Sequence, residues 1–281
     1  MTEADFRLSV LEPGDLVQAK GLSDALSWPY RLEDWAFALS QGEGLGFFDG
    51  ERLIGTALRF NFGPNFATVG MIIVDSGYRG KRLGARLVDA LLEGTGERSV
   101  ILNATLDGLE LYRRRGFKGF DVTCQHQGIA GAIPPSDPAF PVTPARDADW
   151  PAIIALDEAA TGMDRSHLLK SLSGCARASI LPGDGGSILG YAITREFGRG
   201  HVIGPVLAES REAAIALISK AMTGLEGKFV RLDTSPTTGL ADWLEARGLI
   251  KVDSVEAMVR GSLPERTSPA RIFALCSQSL G

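Results

Sequence analysis

Apolar positions along this chain follow two rhythms, and the switch between them recurs. Short runs rich in β-branched residues, Met71-Ile72-Ile73-Val74 and Val100-Ile101-Leu102, have the make-up of buried strands. Leu83, Leu87, Val88, Leu91 and Leu92 fall at helical spacing and predict a helix with one apolar face. The same reading predicts strands over Phe6 to Val10, Gly44 to Phe48, Arg52 to Phe62 and Phe66 to Val74. It predicts helices over Glu12 to Leu26 and Leu32 to Leu39, and a closing strand over Phe120 to Gln127. Asp49-Gly50 is a hairpin signal between two of the strands.

From Gly128 to Pro144 the pattern lapses. Five prolines and little periodicity mark a linker or crossing segment, which divides the chain into domains 1–135 and 136–281. The second domain then repeats the first. Val142 to Asp149 matches Leu8 to Asp15, and Gly190 to Arg195 matches Gly55 to Phe60. His201 to Leu207 takes the place of the strand ending at Val74, and Ala213 to Met222 that of the following helix. Val230 to Ser235, then Leu240 to Gly248, follow the layout of Ile101 to Gly116. Two tandem α/β domains of α+β type are expected, each a mixed twisted sheet flanked by helices.

Composition narrows the function classes. A chain of 281 residues, 44% hydrophobic, has material for two cores, and its net charge of -5 argues against general nucleic-acid binding. No apolar run approaches the ~20 residues of a membrane span, and MTEADFRLSV lacks the features of a signal peptide. Three scattered cysteines and three scattered histidines form neither a disulfide framework nor a metal-ligand pattern. The expectation is a cytoplasmic protein without a metal.

The chemistry concentrates between two strands. After Val74 come Gly77, Arg79, Gly80, Lys81, Arg82 and Gly84, then the helix carrying Leu83 and Ala85. A turn of this kind presents free backbone N–H groups and the positive end of a helix dipole, with three cations beside them, which suits a pyrophosphate. It lacks the Gly-Lys-Ser/Thr of a P-loop and the glycine spacing of a dinucleotide fingerprint. A second motif follows, Leu111-Tyr112-Arg113-Arg114-Arg115-Gly116-Phe117.

Together, Arg79-Gly80-Lys81-Arg82-Leu83-Gly84 and the Tyr112 motif resemble the GNAT superfamily of acyl-CoA-dependent N-acyltransferases. The resemblance implies that acetyl-CoA lies where two parallel strands splay apart. Backbone groups at Ile72, Ile73 and Val74 and the loop from Arg79 to Ala85 would hold it. Asn103 would stand in for an amide the family carries two positions later, where this chain has Thr105. It further implies an N-acetyltransferase in which a primary amine of a small molecule attacks directly and Tyr112 is the general acid. The chain departs from the family pattern at Arg82, where the loop has a glycine, and along Ala67 to Val74, where a carboxylate is often found. Glu33, Asp34 and His126 are candidates for the missing base, each also readable as a solvated or structural residue, and a water chain to solvent is an equal alternative. Trp28 and Tyr30 would wall the acceptor site, with Asp233, His201 or Arg199 reaching it from the second domain. That domain has Glu209-Ser210-Arg211-Glu212 for the loop and Leu244 for the tyrosine, so it is expected to be free of cofactor. The alternative from another class is a non-catalytic acyl-CoA-binding sensor. A monomer or homodimer fits either.

Overall fold

A computed structural model of the chain describes residues 6–133 and 137–281. The first half runs β1 (Arg7–Val10), α1 (Leu16–Ala25), α2 (Leu32–Gln41), β2 (Glu43–Asp49), β3 (Arg52–Phe62), β4 (Phe66–Val74), α3 (Leu83–Glu93), β5 (Ser99–Ala104), α4 (Leu109–Arg113) and β6 (Lys118–Ile129). The second half repeats that order: β7 (Thr143–Pro144), α5 (Trp150–Thr161), α6 (Ser166–Ser173), β8 (Arg177–Pro182), β9 (Ile188–Phe197), β10 (Gly200–Ala208), α7 (Arg211–Met222), β11 (Phe229–Thr234), α8 (Ala241–Glu245) and β12 (Ile250–Arg260). The repeat extends to local chemistry. Glu12 N–H donates to Asp15 at 2.9 Å where α1 begins, and Arg146 N–H donates to Asp149 at 2.8 Å where α5 begins. Each bond satisfies a donor beside a helix start.

The expected mixed α/β fold is present, but the two halves are not laid side by side. The described strands form one sheet in the order β1-β2-β3-β4-β5-β12-β6-β11-β10-β9-β8-β7. β12, from the second half, pairs with β5 of the first, Met258 opposite Leu102. β6, from the first half, pairs with β11 of the second, Asp233 opposite Gln125. The halves have exchanged closing strands, and the exchanged strands pair with each other. The expected division between 135 and 136 falls within 134–136, outside the described residues.

Three apolar clusters hold the sheet. One lies under α3 and α4 in the first half, built on Leu83, Leu87, Leu91 and Val100. Its counterpart lies under α7 and α8, built on Leu217, Ile218, Leu232 and Leu244. The third is shared: Trp35 and Leu22 of the first half pack in the same cluster as Leu169, Ile153 and Tyr191 of the second. Trp35 is fully buried, and its indole N–H donates to Ser23 at 3.1 Å, which meets its polar requirement.

Each half contains a pair of parallel strands that separate. β4 and β5 are paired from Phe66–Ser99 to Thr68–Ile101 and then diverge. β10 and β11 are paired at His201–Val230 and Val202–Arg231 and then diverge. In the second half a further strand, β13 (Arg271–Ala274), fills the opening by pairing antiparallel with β10. The residues after β13 run on to the first opening. There Thr68 Oγ1 donates to the Ser279 carbonyl at 2.7 Å, and Asn103 Nδ2 donates to the Gln278 carbonyl at 2.7 Å. Glycines make room at both places: a Cβ on Gly70 would strike Ser279, and one on Gly204 would strike the Leu275 carbonyl.

Candidate active site

The site begins with an irregularity in β4. Thr56 pairs with Ile73, but Leu58 pairs with Gly70, so Ala57 stands opposite both Met71 and Ile72. One extra residue on β4 makes a bulge, which bends the strand and re-aims its groups. Met71 adopts a left-handed φ of 51°, and its carbonyl accepts from Thr56 Oγ1 at 2.9 Å. Beyond Thr68 the edge of β4 that faces β5 has no strand partner there. Ile72, Ile73 and Val74 lie along this stretch, as the sequence reading expected of strand residues beside a splay.

The turn after β4 leads to the start of α3. Asp75 shapes it, accepting from Gly77 N–H at 2.8 Å, while Arg52 pairs with the same carboxylate at 2.7 Å. Gly80 takes φ 79° and Arg82 takes φ 58°. Only glycine enters this left-handed region without steric cost. The conformation explains the glycine of the family loop at this point, and Arg82 adopts it despite its Cβ. The first N–H groups of α3 have no intrahelical partner. Arg79 and Arg82 are exposed and, among the described residues, carry no ion pair. Lys81 leans over the rings of Phe6 and Tyr78, at 4.9 and 5.0 Å. A Cβ at Gly84 would meet nothing nearer than Val74, at 3.7 Å. The protein's own packing therefore does not require that glycine, and its absent side chain leaves the helix start open.

Tyr112 projects from α4 and is 8% exposed. Its ring meets Phe117 edge-on at 5.9 Å. Gly108 makes that placement possible, since a Cβ there would come within 2.7 Å of the ring's Cε2. Burial pushes the phenol up to about 12, with Arg115 opposing weakly, so it is protonated at neutral pH.

A cavity of about 370 Å³ joins the β4 bulge to Tyr112, while the turn at the start of α3 does not line it. Met71, Ile72 and Tyr112 line it on one side, Trp28 and Tyr30 on another, and Arg231 and Asp253 come from the second half. Tyr30 stands edge-on to Trp35 at 6.2 Å and to Phe197 at 5.4 Å, so its ring bridges the halves. Burial also raises the Tyr30 phenol above its ordinary value, with Arg231 as the largest opposing influence.

Other predicted residues lie elsewhere or are spent on structure. Asp233 is fully buried and does not line this cavity; it is held by Arg231 Nη2 at 2.9 Å. Asn103 does line it, but its amide accepts from Thr123 Oγ1 at 2.7 Å and donates to the Gln278 carbonyl. Asp34 is buried and accepts from Arg31 N–H at 2.9 Å and Gly198 N–H at 2.8 Å, tying α2 to the β9–β10 turn. Glu33 and Arg199 are exposed. His126 is buried, with Nδ1 3.3 Å from the Leu249 carbonyl. Burial lowers the His201 imidazole, with Lys228 adding to it, and its Nδ1 has no partner among the described residues.

The sequence reading missed Arg231, Asp253, Gln125, Gln127 and Gln278. A weak signal existed: Thr123, Gln125 and Gln127 alternate along a predicted closing strand, which gives that strand a polar face. Which strands would flank it was not legible without the exchange.

Comparison with known proteins fits this picture. The model for the Acetyltransferase (GNAT) family matches residues 16–117, and that for an Acetyltransferase (GNAT) domain matches 153–274. The chain is 29% identical to an uncharacterised N-acetyltransferase, YitH, of Bacillus subtilis, over 90% of this chain and 91% of that one. It is 27% identical to holothin acyltransferase of Pseudoalteromonas sp., over 91% of this chain and 94% of that one. Among solved structures, a putative acetyltransferase from Pyrococcus horikoshii superposes with a TM-score of 0.82 at 20% identity, covering 98% and 96% of the two chains. A tandem GNAT protein from the clavulanic acid biosynthesis pathway superposes with a TM-score of 0.62 at 13% identity, covering 94% and 100%. Among the described residues no helix is long and apolar enough to cross a membrane. Two matched domains in sequence, on a fold shared with a tandem protein, establish that the chain belongs to the GNAT acetyltransferase superfamily and carries two copies of its domain.

Proposed function

We propose that the chain is an acetyl-CoA-dependent N-acetyltransferase that modifies a primary amine of a small molecule. The observation that carries this reading is the single cavity in which the β4 bulge, buried Tyr112 and the aromatic pair Trp28 and Tyr30 meet. The residues present fit the cosubstrate. The α3 start has free N–H groups, Arg79 and Arg82 carry no ion pair among the described residues, and Gly84 leaves open space. Arg79, Gly80, Lys81, Arg82, Leu83, Gly84 and Ala85 would hold the pyrophosphate. Ile72 to Val74 would align the arm, with Asn103 at the floor of the cleft.

When bound, acetyl-CoA supplies the acyl group as a thioester. Backbone N–H groups at the β4 bulge polarise a carbonyl and stabilise the developing oxyanion. Trp28 and Tyr30 hold the acceptor so that its amine, once it has given its ammonium proton to solvent, attacks the thioester carbon directly, a gain from positioning. Tyr112 keeps its Oη proton at neutral pH and delivers it to the departing sulfur.

The domain up to about residue 135 carries this chemistry, and the domain from 136 to 281 binds no cofactor. Three observations support the second statement. β13 occupies its strand opening. Arg211, in the equivalent turn, donates to the Gly239 carbonyl at 2.7 Å. Leu244, in the tyrosine's place, is fully buried.

Thiol release from acetyl-CoA across a panel of primary amines tests the activity. Tyr112→Phe should lower turnover by about 10² or more while acetyl-CoA affinity stays within about twofold. Unchanged turnover would remove Tyr112 as the acid. Acetyl-CoA binding without thiol release for any amine would favour the sensor.

A further inference from the structure

The polar wall of the cavity has a charge pattern that names a class of acceptor. β6 lies between β12 and β11, with Gln125 opposite both Asp253 and Asp233, and Gln127 opposite Arg231. Directly paired residues share a face, so these side chains form one polar patch. Arg231 is 8% exposed, and its Nε and Nη2 grip Asp233 at 2.9 to 3.2 Å. A guanidinium has five N–H donors, and this grip uses two. Both donors on Nη1 and one on Nη2 have no partner among the described residues, although the side chain lines the cavity. Gln278 Nε2 also donates to Asp233 at 3.3 Å, and Arg231 lies 5.6 Å from the Phe197 ring, so the guanidinium is held in one orientation.

A buried, oriented guanidinium edge with idle donors is built for a planar oxyanion. Asp253 supplies the opposite charge. Its Oδ1 accepts from Ser254 N–H at 2.8 Å, and it has no ion pair among the described residues. Resting on the acyl-transfer reading, we infer that the acceptor is a small amino acid-like molecule. Its carboxylate binds Arg231, and its ammonium is drawn to Asp253 before it is modified. The cavity of about 370 Å³ also takes the acyl end of the cosubstrate at Met71, Ile72 and Tyr112, which leaves room for a small acceptor.

The test is calorimetric titration of the full chain, in the presence of coenzyme A, with matched probes. These are free α-amino acids, β-alanine and γ-aminobutyrate, each against its carboxamide. At least one free acid should bind at least about tenfold more tightly than its amide, the worth of a charge-assisted bond. In Arg231→Gln with Asp233→Asn, a pair that leaves no buried orphan charge, the two forms should bind equally. Arg231→Lys keeps the charge but loses the fork, and should retain only part of the preference. Equal binding of acid and amide by the wild type, no binding of any probe, or a preference that survives in the double variant would overturn the inference. Thiol release with the same probes separates the two readings: preferential binding without release would sink acyl transfer and leave the recognition standing.

Discussion

The two strand openings begin alike and end differently. In both, a short parallel pairing gives way beside a glycine, Gly70 in one and Gly204 in the other. In the first half the opening leads to a cavity with Tyr112 on its wall. In the second half β13 closes it, and Thr234 Oγ1 donates to the Phe273 carbonyl at 2.6 Å to hold the strand in place. One fold therefore supports a site or a filled core, depending on what satisfies the freed edge of a strand. An unpaired edge must find donors and acceptors somewhere. In the second half the backbone of β13 serves; in the first, the Ser279 and Gln278 carbonyls meet Thr68 and Asn103, and the bulge beyond them faces the cavity.

The sharpest way to break this contrast is to count binding sites. Calorimetry should give one acetyl-CoA per chain. Arg79→Ala with Lys81→Ala should weaken it by about 10² or more, since each charge-assisted contact contributes roughly 1.5–3 kcal/mol. Two sites per chain would mean that β13 yields to the ligand. Next in size is Gly108→Ala. The new methyl would meet the Tyr112 ring at 2.7 Å, so turnover should fall about tenfold with little change in acetyl-CoA affinity.

A smaller effect should appear in alkaline unfolding curves. Tyr112 titrates at about 12 in the fold and near 10 in the unfolded chain. Below pH 10 the phenol is neutral in both states and contributes no pH dependence. Between pH 10 and 12 the unfolded chain releases the proton first, so stability should fall there by roughly 2–3 kcal/mol. Tyr112→Phe should remove that part of the loss, measured by denaturant titration at several pH values. The smallest effect is expected for Arg82→Gly. Relief of the left-handed conformation and the added freedom of glycine oppose each other, so stability should change by less than about 1 kcal/mol. Any loss of acetyl-CoA affinity would then report the guanidinium itself.

Local patterns carried much of this fold. Asp49-Gly50 sits at the β2–β3 turn, and the apolar series from Leu83 to Leu92 is the buried face of α3. The Tyr112 motif and the Arg- and Gly-rich turn were readable because their chemistry is contiguous. Arg231 and Asp253 were not, because their meaning depends on strands brought together from positions far apart in the chain. β12 lies about 150 residues after its partner β5, and no local period encodes that pairing. Asp34 shows what burial adds. It is one of three candidate bases in the sequence, and in the fold its oxygens are occupied by Arg31 and Gly198.

The exchange of closing strands also bears on how the molecule is made and how it fails. The sheet of the first half gains its β5 neighbour only after β12 has been synthesised, so an emerging chain must wait with an exposed strand edge for nearly its whole length. Such edges template misassembly, and long-range strand pairing slows folding. Once closed, neither half can leave without stripping a strand from the other. A protease cut in 134–141 should therefore yield two fragments that remain one particle and denature together.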